Sequence, residues 1–428
     1  MEGQARPVVD ARTGRAGPPT AEELGHGMRF RLTPEQRLLK KTTREFLESE
    51  VRHLVKEDKH GHGVFPEAAV KKMQEQGIFG MPIPRKYGGA GMGEVGYCLV
   101  AEEVGAVDSS LATILGAHTG IGMAPIWLFG NEDHRERIVR PLAEGTALGA
   151  FALTEPTAGS DAARIKTRAD RDGDEWVLNG RKIWCSNGDR ADYILVMAVS
   201  DPTLGAHGGV TAFVVEKDFP GFQVGSIEDK MGIRSSSTAE LVFQDCRVPK
   251  ENVIGKVGEG FIVALTALDG GRASLAAGAL GACKELLGRM IDFSRKRRRA
   301  GRPIADNQAV QWKLAELAIK IFQNQHIVYD TAQLVDRYYH LIAEGHPVPR
   351  ALRDEVSRKC AMVKVSASEA AGWAIEQALE LFGAAGVRDA WDLERGFRDE
   401  IIIEIFEGTN EIQRLIISRD LIKGGNFW

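Results

Sequence analysis

The sequence predicts an α+β multidomain chain, with an N-terminal all-α domain over 29–150, a middle antiparallel β-sandwich or barrel over 151–258 and a C-terminal helical domain over 259–428. Apolar residues recur at helical spacing before 150 and after 260, and short β-rich runs with polar turns lie between them. No strand–helix–strand alternation occurs and no G-x-G-x-x-G follows a strand, which excludes a Rossmann sheet. No repeat of 20–50 residues is visible.

Residues 1–28 mix Arg, Gly, Pro and Ala with Glu2, Asp10, Glu22 and Glu23, and lack the apolar core of a secretory signal. A disordered tail is expected there. Order begins at Thr33-Pro34-Glu35-Gln36, where Thr caps, Pro suits the first helical position and Gln completes a capping box. Leu38, Leu39, Phe46, Leu47, Val51 and Leu54 follow at roughly helical spacing, and the turn-rich stretch from Pro82 to Gly89 breaks the helical region. In the middle domain, Glu175–Leu178, Asn179-Gly180 and Lys182–Cys185 read as a hairpin with a type I′ turn. Further strands are expected at 193–199, 210–215 and 240–243. Long helices are expected at 259–290, 306–343 and 353–382, then a shorter terminal pair.

Composition narrows the function classes. A net charge of −4, from 55 basic and 59 acidic residues, argues against a nucleic-acid partner. The 48 Gly and 16 Pro of 428 residues fall below the ~25–30% of low-complexity chains. Five scattered cysteines (Cys98, Cys185, Cys246, Cys283, Cys360) contain no C-x-x-C pair, so neither a disulfide framework nor a thiolate metal site is expected. A reducing compartment fits: the cytoplasm, or the mitochondrial matrix in a eukaryote. The stretch free of charged side chains at 109–130 contains His118, Pro125 and four glycines, and reads as buried core rather than a membrane span.

Four segments offer chemistry. Residues 151–161, FALTEPTAGSD, present hydroxyls and backbone N–H groups suited to a planar polar ring or a phosphate, although a loop entering a β-domain would look alike. Trp184-Cys185-Ser186-Asn187-Gly188 pairs a stacking surface with a hydroxyl, yet a lone Trp is more often core. Glu407 lies in a break between an apolar helix (Ile401, Ile402, Ile405) and a new one (Ile412, Leu415, Ile416) that Thr409 caps. Beside Phe406 and the isoleucines, its acidity should weaken by desolvation, as a general base near neutrality requires; a surface capping loop is the plainer reading. The run Arg295-Lys296-Arg297-Arg298-Arg299 is a solvated helix end, a nuclear-localisation or nucleic-acid patch, or a phosphate clamp.

Together these pieces resemble the acyl-CoA dehydrogenase family, flavoproteins that introduce a 2,3-double bond into acyl-CoA thioesters. The resemblance spans about residues 30–425 and rests on seven motifs in the family's order. They are Y-G-G-x-G at 87–91, L-T-E-P-x-A-G-S-D at 153–161, W-x-S-N-G at 184–188, K-M-G-x-R at 230–234, V-P-x-E-N-V at 248–253, the basic segment before Gly301, and E-G-T-x-E-I-Q-R-L at 407–415.

The resemblance implies FAD between the β-domain and a C-terminal four-helix bundle. Leu153, Thr154 and Ser160 would contact it, Trp184 would stack on it and Ser186 would hydrogen-bond near N5. Arg297 matches an arginine that reaches a neighbouring subunit's FAD, and Gln308 and Gly383 accompany it; Thr409 and Glu411 match positions near the nucleotide half. Asp269, Arg272, Gly408 and Ser160 would line the acyl-CoA site. Glu407 would take the α-proton, because some members carry the base where Gly271 stands, and glycine cannot serve. No metal is implied. A homo-oligomer, a tetramer, would pass electrons to an electron-transferring flavoprotein. Two departures touch the nucleotide side: Ala300 replaces a phenylalanine, and Glu380 replaces a glutamine, with Arg299 offering a counter-charge. The helix near 109–116 contains no Arg, which speaks against a dicarboxyl substrate. The alternatives are an acyl-CoA oxidase or enoyl-CoA reductase on the same fold, and a cofactor-free helical interaction protein.

Overall fold

The computed structural model describes residues 32–55 and 63–424; the expected tail at 1–28 lies outside them. Helix α1 (Pro34–Phe46) begins as its sequence dictates. The Gln36 N–H donates to Thr33 Oγ1 at 3.1 Å and the Thr33 N–H donates to Gln36 Oε1 at 3.0 Å, so two donors stranded at the helix start are satisfied reciprocally. After α2 (Glu67–Glu75), the main N-terminal helices are α3 (Gly93–Val107) and α4 (Ser109–Leu115), and α4 continues through a π-helical stretch into Ala124–Phe129. Among the described residues, Ser109–Phe129 is the one run long and apolar enough to cross a membrane by composition, and 72% of its most apolar stretch is buried inside the protein.

The middle region is one eight-stranded sheet: β1 (Gly149–Ala152), β2 (Arg168–Asp172), β3 (Glu175–Ser186), β4 (Tyr193–Val199), β5 (Val210–Glu216), β6 (Phe222–Ile227), β7 (Thr238–Pro249) and β8 (Val253–Ile254). The strand order is β6-β7-β3-β2-β4-β5-β8, with β1 beside β4. Two expectations are corrected. The sheet is mixed rather than antiparallel, because β1 and β2 both pair with β4 in parallel. Those partners are separated by intervening chain, so strand-by-strand patterning does not reveal them. Nor is there a hairpin at Asn179-Gly180, since β3 runs unbroken through it. Gly180 instead forms a bulge against β7, with its Cβ position only 2.5 Å from Thr167 Oγ1, and the Asn179 side chain bridges to Asp245. The chain reverses at Gly173 (φ 62°) and Asp174, between β2 and β3.

The C-terminal region holds α5 (Gly260–Lys296), α6 (Gln308–Ala343), α7 (Arg350–Phe382), α8 (Leu393–Glu400) and α9 (Asn410–Ile422). Helices α5, α6 and α7 pack on one another and α9 lies on α7, forming the four-helix bundle; α5 also packs on α3. Small residues let α3 and α5 approach closely. A Cβ on Gly281 would lie 1.8 Å from the Glu102 carbonyl oxygen. Their junction is fixed by Glu102, fully buried, which accepts from Lys40, Lys284 and Tyr329. Burial alone would push its carboxyl up, but the two ammoniums hold it below the ordinary value. All five cysteines are buried and unpaired.

Candidate active site

Glu407 lies between the 3-10 turn Ile401–Glu404 and α9, whose first turn Thr409 caps by accepting from the Ile412 N–H at 3.3 Å. Its backbone is left-handed, φ 55°, a conformation that costs a non-glycine residue on the order of 1–3 kcal/mol and persists only when neighbours enforce it. Here they do. The Glu407 carbonyl accepts from Arg272 Nε at 3.1 Å and Gln413 Nε2 at 3.2 Å, and the Gly408 carbonyl accepts from Gln413 Nε2 at 2.9 Å. Gly408 (φ 90°) has no room for a side chain, since a Cβ would meet Gln413 Nε2 at 2.5 Å.

So held, the Glu407 side chain turns onto α5. A Cβ on Gly271 would stand 2.6 Å from Glu407 Oε2 and 2.9 Å from Ile121 Cγ2. Oε2 is sealed from solvent and has no hydrogen-bond partner. Burial pushes this carboxyl up to about 7, against the pull of Arg272 and Lys364. The expected weakening of its acidity is present, but the enclosure comes from α5 and Ile121; Ile401 and Ile405 are exposed.

Arg272 links this loop to α5. Its Nη1 donates to Asp269 Oδ1 at 2.6 Å, and both residues are buried. Burial lifts the Asp269 carboxyl to about 6 despite Arg272. Gly120 packs against the same stretch of α5: its Cβ position lies 3.3 Å from the Tyr97 hydroxyl, 3.5 Å from Ser274 Oγ and 3.7 Å from Gly271 Cα. Burial raises both Tyr97 and Glu94 well above their ordinary values.

A second constellation gathers at the ends of β1 and β3. Lys182 Nζ, fully buried, donates to the Leu153 carbonyl at 3.0 Å and to Glu155 Oε1 at 2.7 Å, and the Ile183 N–H donates to the Thr154 carbonyl at 2.9 Å. This staples the 153–155 segment to β3. Glu155 also accepts from the Lys166 and Thr167 N–H groups. Leu153 is buried and Thr154 half-buried; Ser160 is exposed beside Gly159, whose Cβ position meets nothing within 4 Å. Trp184 sits at φ 60° with 57% of its surface exposed, and Ser186 is half-buried two residues on. An uncovered indole, free hydroxyls and open space beside Gly159 are what a flat polar ring requires.

Three of the expected cofactor residues are not brought to this cradle within one chain. Arg297 caps the C-terminus of α5, about 39 Å along the helix from Gly271 at 1.5 Å per residue; it is exposed, as are Gln308 and Gly383 at other helix ends. Glu380 pairs with Lys313 at 2.6 Å, so Lys313 rather than Arg299 supplies its counter-charge. Glu411 is exposed in the first turn of α9, where a helix start favours a carboxylate. Sequence reasoning missed Gln413 and Lys364. Gln413 lay inside a quoted motif; Lys364 carried no signal, being one lysine on a long helix. Among the described residues, no group of three His, Cys, Asp or Glu is placed to hold a metal.

Three family models tile the chain: "Acyl-CoA dehydrogenase, N-terminal domain" at 33–146, the middle domain at 150–246 and the C-terminal domain at 258–422. The chain belongs to the acyl-CoA dehydrogenase family. It is 39% identical over 393 residues to an acyl-CoA dehydrogenase of Bacillus subtilis, covering 92% of this chain and 99% of that one. It is 39% identical over 398 residues to an acryloyl-CoA reductase (NADH) of Anaerotignum propionicum, covering 92% and 96%. The butyryl-CoA dehydrogenase structure from Megasphaera elsdenii superposes with a TM-score of 0.84 at 38% identity, covering 92% of this chain and all of that one. As an acyl-CoA dehydrogenase family member the protein is an FAD-dependent oxidoreductase, and the β1–β3 cradle fits that cofactor.

Proposed function

We propose that the protein dehydrogenates an acyl-CoA thioester at its 2,3-bond, with Glu407 as the base that removes the α-proton. The observation that carries this is the sealed, partnerless Oε2 of Glu407, pushed up to about 7 against the bare backbone of Gly271. A carboxylate in that state accepts a proton near neutral pH, and no hydrogen bond must be broken first. Leu153, Thr154, Ser160, Trp184 and Ser186 hold FAD, which when bound supplies the acceptor for the β-hydride. The Glu407 N–H donates to the thioester oxygen and stabilises charge developing there; the left-handed backbone, fixed through its carbonyl by Arg272 and Gln413, sets its direction. Asp269, Arg272 and Gly408, joined to the Glu407 loop through the Arg272–Glu407 hydrogen bond, border the thioester beside the base.

Arg297, Gln308 and Gly383 contact the FAD of a second copy, so the enzyme works as a homo-oligomer, a tetramer. An exposed apolar stripe on α6 (Trp312, Ile319, Phe322) supports such packing. Electrons leave to an electron-transferring flavoprotein. The test is anaerobic mixing of the FAD-loaded protein with a panel of acyl-CoA chain lengths and branches: flavin bleaching with formation of the 2-enoyl-CoA supports the reading, and an unchanged flavin spectrum across the panel overturns it. The likeness to an NADH-dependent acryloyl-CoA reductase favours one second reading, the same site run toward saturation; NADH-driven loss of an enoyl-CoA would establish it.

A further inference from the structure

Beneath the Glu407 loop, Lys364 of α7 is fully buried, yet its direct partner is neutral. Nζ donates to Asn410 Oδ1 at 2.7 Å, and Asn410 Nδ2 in turn donates to Ser368 Oγ at 3.0 Å. Asn410 is the first residue of α9, three positions after Glu407. A tie between helices needs no charge, and an ammonium taken out of water costs several kcal/mol unless opposite charge compensates it. The compensating groups lie around it: Glu407 on the loop, Glu404 on the preceding turn and Glu411 on α9, with Arg272 of α5 as the like charge. Of the three carboxylates Glu407 is the one enclosed on α5, and it is also faced by Arg272 and, from α3, by Glu94 and Tyr97. Burial brings Lys364 down to about 8, so it remains charged at neutral pH.

We propose that Lys364 is a positioning residue for the reaction: its buried ammonium anchors the start of α9 and keeps the Glu407 carboxyl in its charged, proton-accepting form. The inference rests on the base reading of Glu407. Lys364 touches no reacting atom; it acts through Asn410 on the loop geometry and through space on the Glu407 charge.

Two variants separate these actions. Lys364→Gln keeps a donor for Asn410 and removes the charge, whereas Lys364→Met removes both. The FAD-loaded protein is titrated by carboxyl infrared difference spectroscopy, with Glu407→Gln subtracted to isolate the Glu407 band, and the pH profile of flavin reduction by acyl-CoA is measured in parallel. In Lys364→Gln the Glu407 midpoint rises by on the order of one pH unit, the acid limb of the rate profile moves with it and the high-pH plateau stays near wild type. In Lys364→Met the plateau falls as well. An unchanged Glu407 midpoint in Lys364→Gln overturns the proposal, and that variant suffices if Lys364→Met does not fold. A shifted midpoint in a protein that never reduces its flavin with acyl-CoA upholds the charge coupling of Lys364 to Glu407 and defeats the base reading instead.

Discussion

Replacing Gly271 with alanine probes the fit between α5 and Glu407. The new Cβ would start 2.6 Å from Oε2 and 2.9 Å from Ile121 Cγ2. To regain an ordinary contact near 3.4 Å, the carboxylate must retreat by about 0.8 Å. Misplacing a reacting group by about 1 Å costs on the order of 100-fold in rate, or roughly 2.7 kcal/mol of barrier. Stability should fall by no more than about 2 kcal/mol, because the ~1 kcal/mol by which alanine favours a helix over glycine offsets part of an overpacking cost of roughly 1–3 kcal/mol. The assay pairs rapid-mixing anaerobic flavin reduction with thermal unfolding of the same FAD-loaded protein. Gly271→Ala should stay folded at the assay temperature, melting at or modestly below wild type, while its flavin reduces on the order of 100 times more slowly. A wild-type reduction rate would refute the claim that Glu407 works against this face of α5.

Because the folded Glu407 carboxyl sits near 7 and its ordinary value is 4.5, the folded protein binds a proton the unfolded chain lacks, so this group lowers stability as pH rises through that window. Glu407→Gln should therefore be stabilised over wild type by up to about 3 kcal/mol at pH 8 and by nothing near pH 4, read by denaturant unfolding. Lys182→Met strips Glu155 of its buried partner and should cost roughly 3–5 kcal/mol while loosening the 153–155 segment, measured as a lower melting temperature together with weaker FAD binding. Trp184→Ala, at an exposed site, should leave unfolding unchanged and weaken FAD binding by up to about tenfold, followed by flavin fluorescence.

The helical regions were legible because their signals are local. The capping box at Thr33 and Gln36 and the cap at Thr409 are satisfied by residues three positions away. The β-domain was legible as strands but not as a sheet. Asn179-Gly180 has the composition of a hairpin turn, yet the Asn179 side chain finds Asp245 across β7, and that long-range pair converts a turn into a bulge. The Glu407 loop stood out as a carboxylate between two helices, but its enclosure depends on Gly271 and Ile121, over a hundred positions upstream. Lys364 acts through a tertiary contact to Asn410, 46 positions away, that no spacing encodes, whereas Gln413 folds back on carbonyls five and six positions before it, a loop geometry that its residue type alone does not announce.

The base assignment is tested most directly by following, anaerobically, the visible absorbance of FAD-loaded Glu407→Gln on addition of a short-chain acyl-CoA that bleaches the wild type. The expected outcome is a yellow protein that binds the thioester and keeps its oxidised spectrum. Full bleaching of that variant at the wild-type rate would contradict the assignment.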